Sequence, residues 1–275
     1  MKDLTFSVNP DVCVGCGLCA QDCPSRLLTL PSEGVPSVIP GREDQCIECQ
    51  HCFAVCPPGA LSIFGLNPED SQPFDYSGLP TPANMRALVR GRRSTRQYLA
   101  QNVSPAVLED LLEDLQYAPT GQNLRFLEYL VVDNLEAMDL LREKSIALAE
   151  KALGNGLDSP FIKGMVKIYR RDKVDLLYRG APHLLVISAP AKKQSSPQQD
   201  IALALAYFEL LAACRGLGTC WCGYINEVEA VVPGLRELLG LKEGDNFYSV
   251  LFGLPKVKYR RLVHREGTAK IRRFG

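Results

Sequence analysis

The chain has 275 residues, 46% of them apolar and 23% charged, a length that suggests two domains, one of them large enough for a sizeable core. Thirty-one basic residues balance thirty-one acidic ones, so no net positive field recruits nucleic acid or an anionic membrane surface. No apolar run approaches the roughly 18 residues that span a bilayer. The opening Met1-Lys2-Asp3-Leu4-Thr5-Phe6-Ser7 has no hydrophobic signal core, so a cytoplasmic protein is expected.

Eight of the eleven cysteines fall within the first 56 residues. They form two runs, Cys13-x2-Cys16-x2-Cys19-x3-Cys23-Pro24 and Cys46-x2-Cys49-x2-Cys52-x3-Cys56-Pro57. Each cysteine of the second run stands 33 positions after its counterpart (13 to 46, 16 to 49, 19 to 52, 23 to 56). The apolar flanks Leu27-Leu28-Thr29-Leu30 and Ala60-Leu61-Ser62-Ile63 repeat with the same offset. A duplicated half-domain with pseudo-twofold symmetry follows. In a reducing compartment so many thiols argue for a metal cluster rather than disulfides. Zinc sites pair two cysteines with a distant second pair, which does not describe four in eleven residues, repeated.

Both runs resemble the bacterial two-[4Fe–4S] ferredoxin pattern, including the proline after each fourth cysteine. In that pattern the fourth cysteine crosses to the other cluster. Cys13, Cys16, Cys19 and Cys56 are then expected to hold one cluster, and Cys46, Cys49, Cys52 and Cys23 the other. Gly15 and Gly17 suit a loop that winds round inorganic sulfur and aims amides at it. His51 is read as a surface neighbour, since all eight thiolates are available.

Pro68, Pro73, Pro80 and Pro82 then crowd a stretch rich in Asp, Ser and Gly. Dense proline favours an extended, semi-rigid tether, and residues 65–84 are read as a linker between a cluster domain (1–64) and a second domain (85–275). Its stiffness would hold an electron-transfer distance. Beyond it, Ser104-Pro105 predicts a helix N-terminus, followed by Val107, Leu108, Leu111, Leu112 and Leu115 at helical spacing. Leu127 to Val132, Leu184 to Ser188 and Phe247 to Phe252 read as buried strands. Leu135 to Leu153 reads as an amphipathic helix stopped by Gly154. Ile201 to Cys214 is apolar nearly all round, so that helix is either central or buried against another subunit, and Cys214 is expected in the core. The class is α+β.

Four segments of the second domain resemble nitroreductase-family motifs, in family order. Gly91-Arg92-Arg93-Ser94-Thr95-Arg96 resembles R-x-S-x-R, and Ala118-Pro119-Thr120-Gly121-Gln122-Asn123 resembles A-P-S/T-x-x-N. Gly216 to Gly223 resembles G-L-G-x-x-W-x-G, and Gly253 to Arg261 is similar to the terminal G-Y-P-x-x-x-Y-x-R. The resemblance implies a nitroreductase-like α+β sandwich, a central sheet wrapped by helices, that binds FMN as a homodimer. On it, Arg92, Arg93, Ser94 and Arg96 take the phosphate, with Arg261, supported by Lys258 or Arg260, closing the other side; planar bidentate guanidinium donors suit that anion. Pro119, Thr120 and Asn123 approach the ring, where an asparagine amide matches its pyrimidine edge. Trp221, Cys222 and Gly223 bring backbone close to N5, with no side-chain catalyst implied. His183 reads as structural. The sequence departs from the family at Asn123-Leu124-Arg125-Phe126, where N-x-Q-P-W is usual, and at Leu254, where tyrosine is usual, so substrate choice does not carry over.

No Gly-x-Gly-x-x-Gly follows a strand, so a separate dinucleotide-binding domain is not expected. The combined reading is an oxidoreductase in which clusters pass single electrons and FMN reduces a small oxidised acceptor, such as a nitroaromatic or quinone. NAD(P)H or reduced ferredoxin is the donor, and either direction of flow fits. The alternatives are a pure electron relay, an enone reductase or a dehalogenase.

Overall fold

The computed structural model describes residues 4–29, 32, 34–191 and 195–275. Met1, Lys2 and Asp3 of the opening segment, and Leu30 of the first apolar flank, lie outside the described residues. The chain divides into two compact units, Met1–Leu79 and Pro80–Gly275.

In the first unit, β1 (Phe6–Val8) pairs antiparallel with β2 (Leu61–Ile63), Val8 opposite Leu61. A matching bridge joins Leu28 to Val38. The helices α1 (Leu18–Gln21) and α2 (His51–Ala54) are single turns, offset by the same 33 residues as the cysteines. The duplication extends to backbone conformation. Left-handed φ angles occur in pairs at Gly15 (67°) and Glu48 (54°), Gly17 (71°) and Gln50 (57°), and Arg26 (49°) and Gly59 (63°). One member of each pair is glycine, which adopts that region freely, and the other is not. The loop shape has thus been kept where the residue that makes it easy has been lost. The buried apolar side chains here are Leu27, Leu28, Ala60, Leu61 and Ile63. In the Pro-rich stretch, Pro68–Asp70 and Tyr76–Gly78 form 3-10 turns, the first closed by a reciprocal Asn67–Asp70 cap.

The second unit opens with α3 (Pro82–Gly91), capped by Thr81 Oγ1, which accepts from Asn84 N at 3.2 Å. Pro82 is its first residue, where no N–H is needed; positions 82–84, read from sequence as tether, are therefore helical. There follow α4 (Pro105–Asp114), β3 (Glu128–Val132), α5 (Leu135–Gly154), α6 (Pro160–Asp172) and β4 (His183–Ala189). The chain continues with α7 (Pro197–Cys214), β5 (Gly218–Trp221), α8 (Gly223–Glu229), α9 (Leu235–Leu238) and β6 (Asn246–Gly253). The strands form an antiparallel sheet in the order β3-β4-β6-β5.

Helices cover both faces of β4 at the centre of this sheet, whereas β3, expected from sequence to be buried, is an edge strand with Tyr129 and Leu130 exposed. Leu184 and Val186 join a core with Met138, Ile146, Ile162 and Met165 from α5 and α6. Leu185 and Ile187 point the other way, to Leu108, Leu111, Leu205 and Phe208 of α4 and α7. Side chains alternate along a strand, so a strand covered on both faces reads as an unbroken apolar run, as Leu184 to Ser188 does. His183 is fully buried, accepts from Val103 N at 2.9 Å through Nε2, and stacks on Phe252. Burial lowers its pKa, which favours the neutral ring that can accept this bond.

One face of α7 meets the sheet. On the opposite side Leu203, Tyr207 and Cys214 are exposed, at steps of four and seven residues. Cys214 is therefore not in the core of the chain: its position falls on the outward stripe. Among the described residues, no helix is long and apolar enough to cross a membrane.

Candidate functional site

In the first unit Cys23, Cys46, Cys49 and Cys52 line one cavity, with Phe6, Leu27, Leu28 and Ile63 around them. Burial pushes the Cys52 thiol up to about 12, and the neighbouring thiols Cys49, Cys23 and Cys46 push in the same direction. Cys19 is raised by burial, with Cys56 and Cys16 adding to it. Cys23 thus shares a cavity with the second run, and Cys56 and Cys16 both act on the Cys19 thiol. Among the described residues no three His, Cys, Asp or Glu groups converge tightly enough for a single metal ion. His51 is exposed, with Nδ1 at 3.2 Å from Asp22.

In the second unit three of the four family-like segments lie side by side. Ser94 bridges Thr219 of β5, and Thr95 N donates to Thr219 O at 2.7 Å. Tyr98 bridges Pro255, while Lys256 N donates to Gln97 O. Gly218 has no room for a side chain, because a Cβ there would stand 2.4 Å from Thr95 Oγ1. A cleft of about 320 Å³ opens among Arg92, Arg93, Thr95, Gly218, Val257 and Tyr259. Lys258, between the last two, is exposed, as is Arg261. The tail residues lining a neighbouring cleft with Arg90, Arg92 and Arg93 are instead Leu262 to Glu266.

The arginines are not equivalent. Arg92 Nη1 is 3.0 Å from Glu209 Oε1, which also accepts from Thr219 Oγ1 at 3.2 Å. Arg93 donates through Nη1 to Arg92 O, but its Nη2 is buried with no partner. Buried donors are nearly always satisfied, so this atom points to a missing acceptor. Arg96 is exposed.

The fourth segment, around Ala118 to Asn123, is anchored elsewhere on α7. Gly121 N donates to Asp200 Oδ1 at 2.9 Å, and Arg125 N to Thr120 Oγ1 at 3.0 Å. Gln122, Asn123 and Arg125 all have left-handed φ, at 55°, 54° and 48°. Three such residues within four positions store strain that ordinary turns avoid, a feature concentrated at functional sites. Asp200 and Glu209 are nine residues apart, about 13 Å along the helix, so α7 holds two of the segments with two buried carboxylates. Sequence reading treated this helix as apolar and missed both.

Trp221 and Tyr248 pack with ring centroids 5.7 Å apart, at the wall of a cleft of about 510 Å³ that also takes in Gln198, Ile201, Asn226 and Arg236. Trp221 Nε1 and Asn226 Oδ1 are buried without partners. Cys222 N donates to Ser249 O at 2.9 Å, and a Cβ on Gly223 would stand 3.0 Å from the Tyr248 hydroxyl. Burial pushes the Cys222 thiol up to about 11, so it is protonated near neutral pH.

Residues 89–254, more than half of the chain, match the model of the nitroreductase family. The chain belongs to the nitroreductase family. Residues 12–60 match the 4Fe-4S dicluster domain, so this family member is an oxidoreductase that carries a ferredoxin-type unit. A protein of Archaeoglobus fulgidus, named for NADH dehydrogenase or NAD(P)H nitroreductase activity, is 26% identical over 174 residues, covering 62% of this chain and 84% of that one. A ferredoxin of Thermococcus litoralis is 31% identical over 61 residues, 22% of this chain and 98% of the ferredoxin. A Bacteroides fragilis nitroreductase crystallised with FMN shares the fold at a TM-score of 0.55 and 21% identity, covering 68% of this chain and 98% of that one.

Proposed function

We propose that this nitroreductase-family protein binds FMN in its second unit and two [4Fe–4S] clusters in its first. It exchanges single electrons through the clusters and reduces a small oxidised organic acceptor. We assign the cluster role to residues 1–64, the tether to 65–84 and the flavin role to 85–275.

The observation that carries this reading is the set of unsatisfied buried polar atoms along the family-like segments. Arg93 Nη2 lacks an acceptor beside the Arg92–Arg96 segment, and Trp221 Nε1 and Asn226 Oδ1 lack an acceptor and a donor beside Gly223. Such atoms cost about 1–3 kcal/mol each when left unpaired, and a phosphate with a flat, polar-edged ring offers the partners they lack. FMN, when bound, supplies the exchange between one-electron and two-electron chemistry. The protein's part is positional: Arg93, Arg96 and Ser94 hold the anion, Asn123 on its strained loop is set for the ring edge, and Gly223 leaves the backbone accessible. Cys13, Cys16, Cys19 and Cys56 would hold one cluster, and Cys46, Cys49, Cys52 and Cys23 the other. The exposed stripe of Leu203 and Tyr207 on α7 supports a homodimer. The donor is NAD(P)H or a reduced ferredoxin, in the cytoplasm.

An anaerobic absorption titration tests this. The purified protein is expected to show a flavin band over a broad iron–sulfur envelope. Loss of the flavin band on adding NADH or NADPH assigns the donor to the nicotinamide. No response to either, followed by bleaching with reduced ferredoxin, makes the first unit the inlet. A spectrum without flavin sinks the assignment of the second unit.

A further inference from the structure

The turn between α6 and β4 is built around one buried carboxylate. Asp175 accepts from Tyr178 N at 2.8 Å, Gly180 N at 3.1 Å and Arg142 Nε at 2.8 Å. Its side chain and that of Arg142 are each 8% exposed, and Arg142 reaches on to Ala181 O. Leu177, Tyr178 and Ala181 are buried, with the Tyr178 hydroxyl 2.8 Å from Ser145 Oγ. The turn is thus fixed on every side except at Arg179.

Arg179 is the residue this turn presents. Its φ is 54°, and that of Gly180 is 65°. A left-handed backbone costs an ordinary L-residue about 1–2 kcal/mol, and glycine would adopt it without strain. The side chain of Arg179 has to repay that cost. Its guanidinium lies over the Tyr224 ring, 5.2 Å from the centroid, and makes no hydrogen bond or ion pair among the described residues. The nearby carboxylate does not neutralise it, because Asp175 is committed to Arg142 and the turn amides.

Its location ties it to the candidate site. Cys222 Sγ donates to Leu177 O at 3.3 Å, joining this turn to the Cys222-Gly223-Tyr224 segment. Burial raises the Cys220 thiol, and Arg96 and Arg179 each oppose that rise. Tyr224 and Phe161, 37% and 38% exposed with centroids 5.4 Å apart, add a partly open aromatic wall. An unpaired guanidinium on such a wall fits a flat substrate that bears an oxyanion.

We propose that Arg179 is a specificity-determining residue that binds the carboxylate or phosphate of acidic substrates beside Gly223 and Tyr224. The proposal rests on the flavin reading for its place in the reaction, but its binding signature is independent of that reading.

The test is calorimetric titration of the full-length holoprotein with benzoate against benzamide, and with NADP+ against NAD+, the oxidised nucleotides that cannot reduce the flavin. The wild type is expected to prefer the more anionic member of at least one pair tenfold or more. Arg179→Gly removes the strain together with the charge, so its melting midpoint should stay level or rise while that preference falls to within twofold. Affinity for the less anionic member of the pair should not change. Arg179→Lys should restore part of the preference. Loss in the benzoate pair assigns the oxyanion to an acceptor carboxylate; loss in the nucleotide pair assigns it to the donor's 2′-phosphate. A wild type without either preference, or a preference that survives in Arg179→Gly, overturns the proposal. A protein that lacks flavin overturns the flavin reading instead, and these binding ratios remain measurable on it.

Discussion

The two units of this chain are organised by different forces. In the first, Leu27, Leu28, Ala60, Leu61 and Ile63 make up the buried hydrophobic core, while seven of its eight thiols are half-buried and Cys16 is exposed. In the second, two apolar clusters fill both faces of one sheet. A unit of about 80 residues with so thin a core usually needs a metal or disulfides. The first unit is therefore shaped by what it holds, and the second by its own packing. The strained residues make the same point. Glu48 and Gln50 keep left-handed angles that an L side chain disfavours, at the positions where the first run has glycine.

The sharpest way to break this comparison is to remove the iron. Chelation under anaerobic conditions should abolish hydrogen-exchange protection at β1 and β2 while leaving β4 protected. Equal protection in both units would mean that the first has a self-sufficient core.

Next in size is the buried pair in the second unit. Asp175→Ala leaves the buried Arg142 with only the exposed Asp139 as a carboxylate partner, and should cost about 3 kcal/mol in urea unfolding followed by near-ultraviolet dichroism. Glu209→Ala should cost less, about 2 kcal/mol, since Arg92 is 31% exposed and regains water. Replacing both partners by methionine should recover most of that loss, because a packed apolar pair avoids the desolvation penalty. Failure of the double variant to recover would show that the pair does more than join α3 to α7.

Smaller still, Gln50→Gly should raise the midpoint of the first unit by the equivalent of about 0.5–1 kcal/mol, and Gly17→Gln should lower it. The smallest effect concerns pH. Glu143 and Glu150 are held below the usual carboxylate range by hydrogen bonds from Arg170. Their contribution is present above the ordinary carboxylate pKa and fades as pH falls through the lowered values. Arg170→Met should therefore be slightly less stable than wild type at pH 7 and nearly equal to it at pH 3, by thermal melts across pH.

Much of this was legible in the sequence because it is local. The cysteine offset is arithmetic, and Leu135 to Gly154 carries its own start and stop. What escaped depends on distant partners. Asp200 meets Gly121 and Glu209 meets Arg92, 79 and 117 positions away, so neither carboxylate stands out within its own helix. Cys214 was placed inside because its helix is apolar all round, and composition does not say which face meets the sheet. Arg179 looks like any charged loop residue until its backbone angle is known. The helix α6 went unread because its apolar positions Ile162, Met165 and Tyr169 alternate with four basic residues.

The interleaving of Cys23 with Cys46, Cys49 and Cys52 also sets an order of events during synthesis. When Cys23 leaves the ribosome, none of the three thiols it stands with exists yet. At about 5–20 residues per second, roughly one to five seconds pass before Cys46 appears. The first run is likewise short of Cys56 until almost the whole unit has been made. On the proposed ligand sets neither half can close by itself, so the nascent segment has to stay reduced until both halves are present.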